Sequence, residues 1–219
     1  MQTKEELTVL LKRLFPDYPD EKIQVLVETK LHDERNLVRQ GENVIHFLYA
    51  GHIVEEELLQ QYRQRLAPHH LQLSFQDINT IISANADDFY KAAIQIYLGN
   101  ELLRNVLASA AWDTIKSLIS ESYSRIRGKT TSTLDSSGKV THTDAFIKIE
   151  VSVGKHKKLI YIISNKLSAE VVGKAFAKLP KAIHKHRRTI PDGKKYVSQV
   201  YKLKKNGDWK LKPEYTMNF

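Results

Sequence analysis

The first third of the chain repeats apolar side chains at intervals of three and four residues, which is the spacing of amphipathic helices. Thr3 precedes Glu5 and Glu6, an arrangement typical of a helix N-cap, and Pro16 and Pro19 end the helix that begins there. The pattern predicts four short helices, over residues 3–14, 20–31, 34–49 and 55–66. Helices this short with tight connections indicate a small bundle.

A longer apolar pattern follows this predicted bundle. A fifth helix is predicted over residues 75–83, capped by Ser74, and a long helix over residues 88–127. The apolar positions of the long helix cover so much of its circumference that burial on more than one side is expected. Gly99 and Asn100 leave open the alternative of two shorter helices.

The pattern changes to that of strands after residue 140. Residues 147–153 alternate between apolar and polar, which predicts a half-buried strand, and residues 159–163 are apolar on both faces, which predicts an inner strand. A helix is then expected from its Ser168 cap to about Arg187, with Pro180 kinking or dividing it.

The last predicted hairpin admits two registers around Asn206-Gly207. A two-residue turn sets Trp209 opposite Lys204, whereas a three-residue loop with Gly207 in a left-handed bulge pairs Trp209 with Leu203. The second register places the apolar side chains on one face, so it is the one that we predict.

These elements predict an α+β protein with a helical N-terminal bundle, a long connecting helix and a small C-terminal ββαββ domain. The expected divisions are a bundle at 1–87, the connecting helix at 88–127, a flexible linker or loop at 128–140, and a basic domain at 141–219. The linker is expected because Gly128–Lys139 has almost no side chain to bury.

Charge divides the chain in the same place. The net charge of the whole chain is +9. Residues 128–219 hold 18 lysines and 2 arginines against 7 acidic residues, which gives them a net charge of +13. Residues 1–127 therefore have a net charge of −4. The basic residues that we expect to contact a polyanion are Lys155, Lys157, Lys158, Lys174, Lys178, Lys181, Lys185, Arg187, Arg188, Lys194 and Lys195.

The expected partner is RNA or DNA, because counterion release favours binding of such clusters to phosphate backbones. Lysine outnumbers arginine, which favours point-charge contacts over bidentate reading of bases. Tyr196, Tyr215 and Phe219 are the predicted stacking residues. The alternatives are an acidic protein, a lipid headgroup, or a solvated face partly neutralised by the acidic half, and the helical region is expected to bind a protein partner or self-associate.

A non-catalytic function is predicted, with a metal-independent ribonuclease as the alternative. Arg39 and His46 would act there as phosphate clamp and acid/base from one helical segment. The second alternative is an assembly or adaptor protein that binds no nucleic acid. No metal or cofactor site is predicted, since the chain lacks cysteine and the sequence holds no phosphate-binding glycine loop.

No transmembrane segment is expected, because no apolar run reaches the length of a membrane-spanning helix. The N-terminus has no basic-then-apolar signal pattern, and together with the lack of cysteine this leads us to expect a cytoplasmic protein.

Overall fold

The computed structural model describes residues 3–14, 16, 18–36, 43–50, 53–77, 92–99, 110–134, 140–154, 157–190, 197–213 and 217–218. Helices and strands are interspersed along this part of the chain. Its α-helices are α1 (Lys4–Leu14), α2 (Asp20–Asn36), α3 (Glu56–Leu66), α4 (Ala110–Ile126) and α5 (Ala169–Arg187).

Eight strands form one mixed sheet, and two more form a separate hairpin. The hairpin pairs β4 (Thr130–Leu134) with β5 (Val140–Asp144). The sheet strands are β1 (Val44–Tyr49), β2 (Gln72–Asp77), β3 (Ile94–Leu98), β6 (Phe146–Gly154), β7 (Lys157–Ser164), β8 (Val197–Leu203), β9 (Trp209–Leu211) and β10 (Met217–Asn218). Their order is β10-β8-β7-β6-β3-β1-β2, with β9 also paired to β8.

Three parallel pairs are set among antiparallel ones in this sheet. The pairs β1–β2, β3–β6 and β7–β8 are parallel, while β1–β3, β6–β7, β8–β9 and β8–β10 are antiparallel. Helix α3 connects β1 to β2, and α5 connects β7 to β8, as parallel neighbours require a crossover.

One face of the sheet, which we call the covered face, carries the hydrophobic core. Successive side chains of a strand point to opposite faces, so each strand contributes alternate residues to this face. Examples are Phe47, Ile96, Ile149 and Tyr161, all 0% exposed, which share one buried cluster with residues of α3, α4 and α5. We call the opposite side of the sheet the second face.

The predicted elements after residue 140 are confirmed. The two strands, the helix and the final hairpin lie at β6, β7, α5, β8 and β9. Strand β7 lies between β6 and β8, as its continuous apolar run predicted, and α5 runs through Pro180 without being divided.

The register predicted for the final hairpin is also confirmed. Leu203 pairs with Trp209 and Tyr201 with Leu211, and Gly207 has a φ of 85°. A residue with a side chain is strained at that φ, so glycine decides the loop type and with it the register.

Three of the helices predicted in the first 127 residues are wrong in whole or in part. Residues 44–49 and 72–77 form strands instead of parts of the predicted helices at 34–49 and 75–83, and residues 94–98 form a strand inside the predicted long helix. All three runs are short, and those at 44–49 and 94–98 are rich in β-branched and aromatic residues. Helical and strand spacing cannot be told apart within a single turn or two. Hydrogen bonding to neighbouring strands decides whether such a run forms a strand or a helix. The local sequence pattern contains no information about those neighbours.

The expected linker is likewise corrected in part, because Thr130–Leu134 pairs with Val140–Asp144 in a hairpin, while 135–139 lie outside the described residues. The layout of a helical bundle followed by a separate ββαββ domain is not confirmed, since β3 and β6 are neighbours in one sheet. The mixed α+β class is confirmed, and the domain boundaries at 87, 127 and 140 stay predictions.

Helices α1 and α2 pack on each other around a small cluster of Leu7, Ile23 and Val27. The predicted cap of α1 is confirmed: the Glu6 backbone N–H donates to Thr3 Oγ1 at 3.2 Å, and the Thr3 N–H donates to Glu6 Oε2 at 2.9 Å. This reciprocal pair satisfies two donors of the first turn. Within the described chain, no helix combines the length and the apolar character needed to span a membrane.

Candidate functional site

Helix α5 presents a row of lysines to solvent. Ser168 begins the helix by accepting a hydrogen bond from the Val171 N–H at 3.2 Å, and the stripe Val172, Phe176, Leu179 and Ile183 is buried against the covered face, as predicted. Burial of that stripe fixes the rotation of the helix. The four lysines displaced from it by two residues are all exposed, and we call them the lysine face: Lys174, Lys178, Lys181 and Lys185.

Most of this positive charge has no carboxylate partner. Lys174 pairs with Glu170 at 2.5 Å, and this hydrogen bond and charge lower the pKa of Glu170. In the described part of the chain no ion pair is formed by Lys178, Lys181 or Lys185, nor by the exposed residues Arg187 and Arg188. The surface is therefore free to exchange its counterions for a polyanion.

The C-terminal end of α5 is anchored to the sheet through His186. Its Nδ1 lies 3.1 Å from Tyr161 Oη, and its ring stacks on Tyr201 with the centroids 3.8 Å apart and the planes at 4°. Burial lowers the pKa of His186 to about 4, with a smaller effect of Lys185. His184 is exposed, as expected for positions two residues apart on a helix, so the two histidines do not form a chelate.

The other basic residues predicted to bind a polyanion do not all join the lysine face. Lys158 alternates with Leu159 on β7, so its side chain is on the second face, across the sheet from α5. Lys157 begins the same strand and is partly buried. Lys155, Lys194 and Lys195 lie outside the described residues, as do the predicted stacking residues Tyr196, Tyr215 and Phe219.

On the second face, four strands place polar side chains side by side. Ser74 on β2 pairs with His46 on β1, His46 with Tyr97 on β3, and Tyr97 with Glu150 on β6. Directly paired residues project to the same side, so these four form a row about 14 Å long, three strand spacings. Further polar residues flank the row on the same side of the same strands, and with it they make up what we call the polar face: Gln72, Gln76, Gln95, Lys148 and Ser152.

The acidic member of the row is neutralised by two lysines. Lys158 Nζ lies 2.6 Å from Glu150 Oε1, and Lys148 Nζ lies 3.3 Å from Glu150 Oε2. The Glu150 side chain is only 11% exposed, so these pairs compensate much of the cost of removing its charge from water. The three groups together keep one positive charge at this end of the row.

The two rings of the row are uncharged at neutral pH. Tyr97 Oη donates to Gln95 Oε1 at 2.9 Å, and burial together with Glu150 raises the pKa of Tyr97 to about 12. Burial lowers the pKa of His46, which is partly exposed. The row thus offers a neutral imidazole and a phenol, which suit hydrogen bonding to a polar ligand.

The helical placement of His46 is wrong, because the residue lies on β1, and Arg39 lies outside the described residues. A ribonuclease using these two residues stays a prediction. Sequence reasoning missed Tyr97, Glu150 and Gln95 as neighbours of His46. The one signal in the sequence for this site is that His46 is the single polar residue in the apolar run 44–48. The residues beside it could not be predicted, because they come from strands up to 104 positions away in the chain.

No group of three or more histidine, aspartate and glutamate side chains is placed to hold a metal ion in the chain as described. Comparison with protein-family models, with curated proteins and with solved structures found no match to this chain.

Proposed function

We propose that this protein is a non-catalytic binding protein that holds a polyanion, RNA or DNA, on the lysine face of α5. The observation that carries this proposal is the exposure, on one side of one helix, of four lysines, of which Lys178, Lys181 and Lys185 are neutralised by no described carboxylate. Free charges of one sign cost stability through mutual repulsion, and a polyanion relieves that repulsion when it binds.

The length of the lysine face suits a phosphate backbone. Lys174 and Lys185 are 11 residues apart, which is roughly 16 Å along a helix at 1.5 Å per residue. A duplex presents a phosphate charge about every 1.7 Å of its axis, so several phosphates lie within reach of this row. The opposite side of α5 is buried in the core, so binding requires no rearrangement of the helix.

The test is fluorescence-polarisation titration of the full chain with labelled RNA and DNA over a salt series. We expect the logarithm of the association constant to fall linearly with the logarithm of salt concentration. The triple variant Lys178→Glu, Lys181→Glu, Lys185→Glu should bind at least 10-fold more weakly, roughly the effect of one or two lost charge contacts, and with a shallower slope.

A matched control separates this site from a net-charge effect. Lys4→Glu, Lys12→Glu and Lys22→Glu on α1 and α2 change the total charge by the same amount, and these lysines are exposed. The control variant should keep most of the affinity. Equal loss in both variants would overturn the lysine face as the site, and absence of binding at low salt would favour the adaptor alternative.

The proposal includes self-association through α1 and α2. Val9 and Val25 are 69% and 63% exposed, and Leu10 is 41% exposed, which is unusual for apolar side chains on helices with a core of their own. Light scattering after size-exclusion chromatography should show an oligomer that Val9→Glu with Val25→Glu converts to a monomer. A wild-type chain that is monomeric at all concentrations would contradict self-association.

A further inference from the structure

The polar face differs in composition from the covered face along β2, β3 and β6, and in β1 it differs at His46. In β1 and β3 the covered positions are Ile45, Phe47, Tyr49, Ile94, Ile96 and Leu98, all buried. The second-face positions of β2, β1, β3 and β6 are instead mostly polar, with Val44, Leu48 and Phe146 as the exceptions. A sheet face that packs against a helix is apolar, so this composition suits contact with water or with a polar ligand.

Two rings lie at the centre of the polar face. His46 and Tyr97 occupy directly facing positions on neighbouring strands, and both side chains are partly exposed. Paired positions bring side chains within about 5.5 Å of each other at their Cβ atoms. Flat, neutral rings at this distance provide adjacent platforms for planar ligands.

The groups around the rings are those that recognise nucleotides. Gln72 and Gln95 supply amides, which can donate and accept hydrogen bonds at base edges. Lys148 and Lys158 lie at one end of the row, where Lys148 Nζ is 5.7 Å from the centre of the Tyr97 ring. Their two positive charges exceed the single charge of Glu150, so this end attracts phosphate.

We propose that a single strand of RNA or DNA lies across the polar face, with bases stacked on Tyr97 and His46 and phosphates at Lys148 and Lys158. The ligand is single-stranded because bases inside a duplex are already stacked on each other and cannot lie on a protein ring. Amide hydrogen bonds from the glutamines hold the base edges. This site goes beyond the proposed function of the lysine face and does not depend on it, since α5 covers the opposite side of the sheet.

The experiment measures binding of the full chain to a short single-stranded RNA that carries the fluorescent base 2-aminopurine. Stacking on a ring quenches this fluorophore, whereas binding by charge alone does not require it. Wild-type protein should quench the probe on binding. Tyr97→Leu should weaken binding roughly 5- to 150-fold, the range for loss of one stacked base, and should abolish most of the quenching.

Tyr97→Phe is the matched control, because it keeps the ring and removes only the hydroxyl that donates to Gln95. It should bind and quench nearly as well as wild type. His46→Leu should lose part of the quenching, while Lys178→Glu with Lys181→Glu should leave quenching at low salt intact. Circular dichroism confirms that each variant is folded.

Three results would overturn the proposal. Tyr97→Leu with wild-type affinity and quenching excludes stacking on this residue. Equal affinity for the single strand and for a duplex of the same sequence excludes the strand preference. Quenching that is lost in the α5 variant but kept in Tyr97→Leu places the single strand on the lysine face instead, which supports the proposed function and excludes this site.

Discussion

At the scale of single residues, buried hydroxyl groups tie the helical layer to the sheet. Tyr123 on α4 is 1% exposed, and its Oη lies 2.7 Å from the Leu167 carbonyl oxygen and 3.2 Å from that of Ser164. Ser164 is the last residue of β7 and Leu167 follows it, so this phenol holds α4 against the end of a central strand. Such a bond is expected to be costly to lose, because the acceptor has no access to water.

Tyr123→Phe should lower the free energy of unfolding by about 1–2 kcal/mol. Tyr62→Phe is the comparison: Tyr62 is also buried, but its hydroxyl donates at 2.7 Å to Glu121, whose exposed carboxylate stays hydrated without it. The loss in Tyr62→Phe should be smaller. Urea titration of both variants measures the difference, and a larger loss at Tyr62 would contradict the argument.

His186 makes stability depend on pH. Its folded pKa is about 4, below the ordinary value of 6.5, because burial of the ring beside Tyr161 and Tyr201 disfavours the charged imidazole, with a smaller effect of Lys185. The unfolded chain therefore takes up a proton below pH 6.5 that the folded chain refuses until about pH 4. The stabilisation is fully present above pH 6.5 and is lost as the pH falls from there towards 4.

His186→Gln should accordingly be less stable than wild type at neutral pH and should lose less stability on acidification. Chemical denaturation of both proteins between pH 7.5 and 5 isolates this histidine, because His46 and the other titrating groups are common to both. If the free energy of unfolding changes equally with pH in the two proteins, His186 is not the source of the pH dependence.

At the scale of elements, backbone conformation decides what a glycine contributes. Gly207 in the β8–β9 loop and Gly173 in α5 both have open space where a Cβ would lie, but only Gly207 has a positive φ, 85°. Substitution by alanine thus tests conformation without a steric clash at either position.

We expect Gly207→Ala to destabilise the protein by about 1–2 kcal/mol, since a side chain is strained at positive φ. Gly173→Ala should stabilise it by about 0.5–1 kcal/mol, because alanine loses less backbone freedom in a helix. Thermal unfolding of the two variants and of wild type measures the direction of both changes in stability. Equal shifts in the same direction would contradict the assignment of the loop.

The elements that could be predicted from the sequence are those decided by local backbone and side-chain interactions. Some features act through residues that are neighbours in the chain, so the local sequence is enough to predict them. They are the helix caps at Thr3 and Ser168, the glycine of the hairpin loop and the alternation of apolar and polar residues in β6. Residues 94–98 carry the alternation of a strand, but the apolar positions on either side extend a helical pattern through them. Their pairing with β1 and β6 outweighs that pattern.

At the scale of the whole molecule, the sheet joins both halves of the chain at β3 and β6. Residues 141–219 alone would leave the edge of β6 unpaired and remove α3 and α4 from the covered face. Exposed strand edges and uncovered apolar faces favour aggregation.

We therefore expect a fragment of residues 141–219 to lack the cooperative unfolding transition of the full chain. Near-ultraviolet circular dichroism and urea titration of the fragment test this. A sharp transition with a native-like near-ultraviolet spectrum would show that the ββαββ segment folds alone and would restore the predicted domain boundary.

The sequence by itself determined the α+β class, strands β6 and β7, helix α5, the register of the last hairpin and the lysine face. All of these follow from interactions between residues close in the chain: capping, side-chain period and turn conformation. Only the tertiary structure decided that residues 44–49, 72–77 and 94–98 are strands, and that Ser74, His46, Tyr97 and Glu150 are neighbours. The physical reason is that a strand is stabilised by hydrogen bonds to partners distant in sequence, so neither its existence nor the side chains beside it can be obtained from local pattern alone.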